Sequence, residues 1–236
     1  VKFAQAVDSG AYHAEGRAMV VSKNPEQYWN AYYANEQVPE LPSQFAVFVA
    51  NELVTGALPA HRSLIDLGCG NGRDSLFFAQ LGFHVGCLDR SSAAISACQS
   101  RFAKASLAAT AMPQCRVGES HGDGLGELAE ALGGPVFIYS RFFFHAIDEE
   151  AELQTFARIA EVLARHGGML AAEFRTTEDE KLQKFTSPHY RRYIAPETFS
   201  ERLARAGLET VWQAEGRGMA KYKQDDACVA RVIAKK

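Results

Sequence analysis

Ser63-Leu64-Ile65-Asp66-Leu67-Gly68-Cys69-Gly70-Asn71-Gly72-Arg73-Asp74 is the stretch that decides the fold. An apolar run ends in an acid, three glycines follow at every second position, and the mixed segment Ser75-Leu76-Phe77-Phe78-Ala79 comes next. That order predicts a buried strand, a tight turn and the start of a helix. Glycines in such a turn reach backbone angles closed to other residues, and they keep side chains away from a ligand lying against the main chain.

A nicotinamide-binding turn would read G-x-G-x-x-G, with the pyrophosphate on the helix N-terminus. Here the third glycine comes one residue early, at Gly72, and Arg73 stands in the expected place. Asp66 at the strand end would repel a pyrophosphate but suits an ammonium group or a hydrogen-bond donor. S-adenosylmethionine carries an ammonium and a sulfonium. The stretch resembles motif I of the class I S-adenosylmethionine-dependent methyltransferases, an acid followed by G-x-G-x-G. The resemblance implies that Asp66, Gly68, Cys69, Gly70 and Asn71 hold the cofactor.

The chain outside this turn alternates strand and helix. Pro25 opens an aromatic helix containing Tyr28, Trp29, Tyr32 and Tyr33, with Pro in its first turn. Ser43 reads as the N-cap of a helix over 44–53. A second strand, 84–89, ends in Asp89 about twenty residues past Gly68, where dinucleotide sites place the acid that takes the ribose hydroxyls; Arg90 follows it. Ser91 caps an alanine-rich helix to about residue 105. Strands are predicted at 115–117, at 135–139 (apolar throughout, as a central parallel strand is) and at 169–174, with an acid-led helix over 148–165. A helix over 196–206 and two closing strands, 208–214 and 227–234, complete the chain. The alternation implies a parallel sheet with helices on both faces, and the short link between the closing strands makes the last one antiparallel. This is the α/β, Rossmann-like seven-stranded sheet of the methyltransferases.

At 236 residues and 47% hydrophobic, the chain is long enough for one α/β domain with a sizeable core. A net charge of −3 argues against a nucleic-acid partner. No apolar run reaches membrane-spanning length, and no signal-peptide pattern opens the chain. The five cysteines, Cys69, Cys87, Cys98, Cys115 and Cys228, are scattered, odd in number and never in C-x-x-C spacing. That speaks against a disulfide framework and against a zinc site, so no metal is expected and a cytoplasmic location is. The first residue is Val1 rather than Met, as expected of a trimmed chain or of a piece of a larger one.

In a doubly wound sheet, ligands lie beyond the carboxyl ends of the strands. Asp66, Asp89, Ser140, Arg141, His145, Glu173 and Arg175 fall there. His145 is the candidate general base, with packing at a helix start as its competing role; Arg141 and Glu173 complete the catalytic set, and Ser140 is assigned to the cofactor. His189-Tyr190-Arg191-Arg192-Tyr193 lies in an irregular segment, and arginine forks match phosphate and carboxylate oxygens. With Arg175 this predicts a small anionic acceptor, methylated at oxygen.

The segments Tyr28-Trp29, Pro42-Ser43-Gln44-Phe45-Ala46, Tyr139-Ser140-Arg141-Phe142-Phe143-Phe144-His145, His189-Tyr190-Arg191-Arg192-Tyr193 and Ala220-Lys221-Tyr222 resemble bacterial small-molecule methyltransferases that accompany surface-polysaccharide and phosphoramidate-type modification. The resemblance implies that Tyr28, Tyr32 and Ser43 close over the cofactor. It also implies that His189, Arg191, Arg192 and Tyr222 bind the acceptor, with Tyr190 between them, and that Glu119 or Asp123 contacts the adenine. It divides the chain into an extension at 1–22 and a methyltransferase domain at 23–236, with a helical lid at 23–60 and an acceptor-covering insert at 175–195. A non-catalytic cofactor-binding module and, further off, an NAD-dependent oxidoreductase are the alternatives. Sequence leaves the oligomeric state open.

Overall fold

The computed structural model describes residues 25–35, 40–56, 62–108, 111–184 and 190–236. The extension at 1–22 and His189 lie outside the described residues.

Five strands run parallel: β1 (Ser63–Leu67), β2 (His84–Asp89), β3 (Gln114–Val117), β4 (Val136–Arg141) and β5 (Gly168–Arg175). The chain then adds β6 (Glu209–Gly216), a short hairpin of β7 (Lys221–Tyr222) and β8 (Asp225–Asp226), and β9 (Val229–Lys235). The seven-stranded sheet has the order β3-β2-β1-β4-β5-β9-β6. β9 is antiparallel to both its neighbours and is inserted between β5 and β6, which leaves β6 at the edge. The order reverses between β1 and β4, and their carboxyl ends frame the crevice where open α/β sheets bind ligands.

Helices cover both faces. α2 (Gln44–Thr55), α3 (Arg73–Gln80) and α4 (Ser92–Lys104) bury Phe45, Val49, Phe78, Cys98 and Phe102 on one side. On the other, α5 (Gly124–Leu132), α6 (Glu149–His166) and α8 (Pro196–Arg205) bury Leu125, Leu128, Phe156, Ile159, Phe199 and Leu203. Phe144, Phe156, Phe174 and Phe199 form a ring cluster at centroid distances of 4.2 to 5.2 Å, each such pair adding about 0.5–1.5 kcal/mol beyond its buried area. The expected caps form: Ser43 accepts from the Ala46 amide, Ser91 from Ala94 and Asp148 from Ala151. α6 carries three acids in its first turn and Arg165 and His166 in its last, the arrangement that suits the helix dipole.

Several of the described elements were not anticipated. α5 has two glycines in its first turn, which obscured the buried period of Leu125, Leu128 and Ala129. A short helix, α7 (Thr177–Glu180), occupies the start of the segment expected to be irregular. The β7–β8 hairpin stands where only a turn was expected. No helix among the described residues is long and apolar enough to cross a membrane.

Candidate active site

The turn after β1 is braced by the end of β2. The Gly68 and Cys69 amides donate to the Leu88 carbonyl at 2.8 and 3.3 Å. The Asp89 carboxylate accepts from the Gly70 amide at 3.0 Å and from the Ser91 amide at 2.8 Å. Each oxygen keeps a further lone pair and the residue faces the cavity, as a carboxylate receiving a diol must. Ser91 Oγ donates to Asn30 Oδ1 at 2.6 Å, which fastens α1 (Pro25–Asn35) onto the start of α4. The Tyr33 phenol then lies flush against Gly70, where any Cβ would collide with it. Burial, with Asp89 next in weight, pushes that phenol well above its usual range. Together the turn, α1 and the β7–β8 hairpin enclose a cavity of about 920 Å³, large enough for a cofactor together with a small acceptor.

Asp66 is buried at the cavity floor and accepts from Ser75 Oγ at 2.5 Å. Burial pushes its carboxyl up to about 8; the Ser75 hydrogen bond opposes this, and the charges of Asp74 and Asp89 add to it. The folded state therefore holds a proton that an unfolded Asp has released above about pH 4. Stability falls as pH rises from about 4 to about 8. Urea unfolding of the ligand-free protein is expected to show a loss of roughly 3 kcal/mol between pH 5 and pH 7. Asp66→Asn should flatten that part of the profile; an unchanged slope would mean that Asp66 is ionised throughout.

Several residues assigned to the acceptor or to catalysis are committed elsewhere. Glu173 is fully buried and receives Arg141 at 3.0 Å and Arg231 at 2.8 Å. Burial works most strongly against the Arg141 charge, and Glu173, Asp74 and Tyr139 together outweigh it. Glu173 does not line the cavity, whereas Arg141 does. Arg175 lines it too, but its guanidinium is held by Asp179 at 2.8 Å and by Asp225. Arg192 is turned into the fold, toward Glu152 at 2.5 Å and the carbonyls of Ile147 and Phe144. The expected adjacent arginine pair is thus corrected, because only Arg191 of the two faces the cavity.

His145 is buried on the cavity wall, and its Nδ1 accepts from the Arg175 amide at 3.2 Å. A ring whose Nδ1 lone pair is used in this way carries its proton on Nε2. His145 thus borders the cavity where the general base was expected, with its Nδ1 engaged by a backbone amide.

Tyr28, Tyr32, Ser43, Asp66, Gly68, Cys69, Gly70, Asn71, Asp89, Arg90, Glu119 and Tyr222 line the cavity. Of the two acids left open for the adenine, Glu119 is there, 3.4 Å from Arg90. Asp123 lies outside, at the start of α5 and 3.1 Å from Arg158. Ser140 is also outside, donating to the Leu67 carbonyl at 3.2 Å, and Tyr190 is on the surface. Ser43 gives both its amide and its hydroxyl to Asp74 at 2.7 Å, and Tyr139 donates to the same carboxylate at 2.8 Å. Sequence reading missed Asp74, Tyr139 and Tyr33. The available signal was the acid directly behind the glycine turn and the i, i+4 spacing of Trp29 with Tyr33.

The donor set fits an adenosyl cofactor. Asn71 Nδ2 is buried in the turn with no hydrogen-bond partner among the described residues, and it borders the cavity. A donor placed there calls for an acceptor from a ligand; the Asp89 carboxylate suits a diol, and Asp66 would meet an ammonium by giving up the proton that burial holds on it.

Residues 64–167 match the family model described as a methyltransferase domain. No curated protein sequence matches the chain. Solved structures share the fold. A S-adenosylmethionine-dependent methyltransferase from Anabaena variabilis aligns with a TM-score of 0.66 at 23% identity, covering 89% of this chain and 92% of that one. The CcbJ methyltransferase of Streptomyces caelestis gives 0.68 at 15%, covering 90% and 98%. Magnesium protoporphyrin IX methyltransferase from Synechocystis, with bound S-adenosylmethionine, gives 0.60 at 16%, covering 94% and 100%.

Proposed function

We propose that this S-adenosylmethionine-dependent methyltransferase methylates an oxygen of a small anionic acceptor, a carboxylate or a phosphate. The carrying observation is the pairing of a glycine turn braced by Asp89 with a cavity whose remaining wall offers His145, Arg191, Lys221 and Lys223. The cofactor, when bound, supplies an activated methyl group on a sulfonium that leaves without protonation. What the protein must supply is alignment and exclusion of water.

Asp66, Asn71 and Asp89 hold the adenosyl and amino-acid ends, with Glu119 at the adenine. α1 shields the turn through Tyr33 and its neighbouring rings. His145 borders the cavity beside the acceptor, where its ring positions an acceptor oxygen. A carboxylate or phosphate oxygen is already ionised at neutral pH, so such a nucleophile needs no proton removed. Arg191 and the lysines of the β7–β8 hairpin complement its charge.

The test is transfer of labelled methyl from S-adenosylmethionine to a panel of matched carboxylated, phosphorylated and neutral small molecules. Anionic members should be the ones methylated. Arg191→Ala should raise their KM about 10- to 100-fold, the worth of one charge-assisted hydrogen bond, with kcat changed far less. Methylation confined to neutral compounds, or an unchanged KM, would remove the anionic-acceptor reading.

A further inference from the structure

Four of the five cysteines, dispersed over 47 positions as the sequence is written (69 to 115), meet in space. Cys69 comes from the glycine turn, Cys87 from β2, Cys98 from α4 and Cys115 from β3. β2 and β3 place Cys87 and Cys115 side by side as register partners. The Sγ atoms of Cys69, Cys87 and Cys98 all lie within 4.8 Å of one another, and all three residues are buried. Cys115 Sγ is 4.0 Å from that of Cys98, and the residue is half-buried. The absence of C-x-x-C spacing had argued against a metal; the fold brings the thiols together from four separate elements instead.

We propose that Cys69, Cys87, Cys98 and Cys115 form a thiolate site for a soft d¹⁰ cation, zinc or copper(I). A tetrahedral zinc with Zn–S bonds of about 2.3 Å holds its sulfurs about 3.8 Å apart. That spacing is close to the one found here and about twice the bond length of a disulfide. Thiolate-only sets select zinc and copper(I) over harder ions. A buried cysteine can serve as a small apolar filler, but that role does not require three buried sulfurs from three elements to lie within 4.8 Å of one another with a fourth 4.0 Å from one of them. Each thiol that ligates gives its proton to solvent and no electron is transferred, so the step needs no oxidant. Cys115, at the half-buried corner, marks the way in.

The site sits directly behind the cofactor turn. Cys69 lies between Gly68 and Gly70, and a Cβ on Gly72 would collide with Cys98 Sγ. A bound cation therefore pins the turn to β2, β3 and α4.

The experiment is elemental analysis of the purified chain, followed by titration of the folded wild-type protein with an organomercurial while released zinc or copper is read by a chromogenic chelator. About one equivalent of zinc or copper per chain is expected, released in step with the reaction of the clustered thiols; which element appears distinguishes the two cations. Cobalt(II) added to the demetallated protein should give intense sulfur-to-metal charge-transfer absorption. Cys228→Ser, outside the cluster, should keep the metal, and Cys98→Ser should lower it at least about tenfold. Metal-free protein that gives no cobalt charge-transfer band would overturn the proposal, as would full metal content in Cys98→Ser or disulfides among these four residues in the native chain. The mercurial titration needs no variant, so a Cys98→Ser chain that fails to fold leaves the wild-type result decisive.

Discussion

Asp89→Ala is expected to weaken S-adenosylmethionine binding by about 100-fold. The carboxylate at the end of β2 faces the cavity with one lone pair on each oxygen left for a ligand diol, the others being taken by the Gly70 and Ser91 amides. Charge-assisted hydrogen bonds contribute about 1.5–3 kcal/mol each, and 1.4 kcal/mol is one decade of affinity. Two such bonds, discounted for the water that replaces them, give the stated loss. Asp89→Asn keeps an acceptor for one backbone amide and should separate the ligand effect from loosening of the turn. Isothermal calorimetry that returned wild-type affinity for Asp89→Ala, with the fold intact by circular dichroism, would remove the ribose assignment.

Glu173→Ala should give the largest loss of stability, about 3–5 kcal/mol. Glu173 is fully buried between Arg141 and Arg231, and deleting it leaves two guanidiniums without their counter-charge, which is the costly way to break a buried ion pair. Set against a total of about 5–15 kcal/mol for a domain, this is enough to threaten folding at ordinary temperature. Glu173→Gln retains the shape and one acceptor and should lose less. A urea midpoint within experimental error of wild type for Glu173→Ala would show that the triad carries no stability.

These two acids show what was legible in the sequence. Asp89 was identified by its distance from Gly68, because the glycine turn and the following strand are local features whose geometry follows from chain order. A parallel sheet with an antiparallel last strand followed from alternation and the short closing link, whereas the strand order and the insertion of β9 between β5 and β6 were not read from the sequence. Glu173 also lies at a strand end, so position alone placed it near the pocket, yet its partners Arg141 and Arg231 come from β4 and β9. Whether a charged side chain faces a ligand or a counter-charge is decided by strand pairing, and no spacing along the chain reports it. The same holds for Arg175 with Asp225, for Arg192 with Glu152, and for the amide of Arg175 that engages His145 Nδ1. The cysteines repeat the lesson in the other direction: separations of 18, 11 and 17 residues look random until β2, β3 and α4 superimpose them.

The most direct test of the cofactor site is calorimetric titration of the purified protein with S-adenosylmethionine, S-adenosylhomocysteine and NAD in parallel. Micromolar binding of both adenosyl compounds at about one per chain, with no heat from NAD, is the result expected from a turn that places Asp66, Asn71 and Asp89 around the cavity. Binding of NAD alone would contradict it, because Asp66 and the early third glycine would then have been read with the wrong sign.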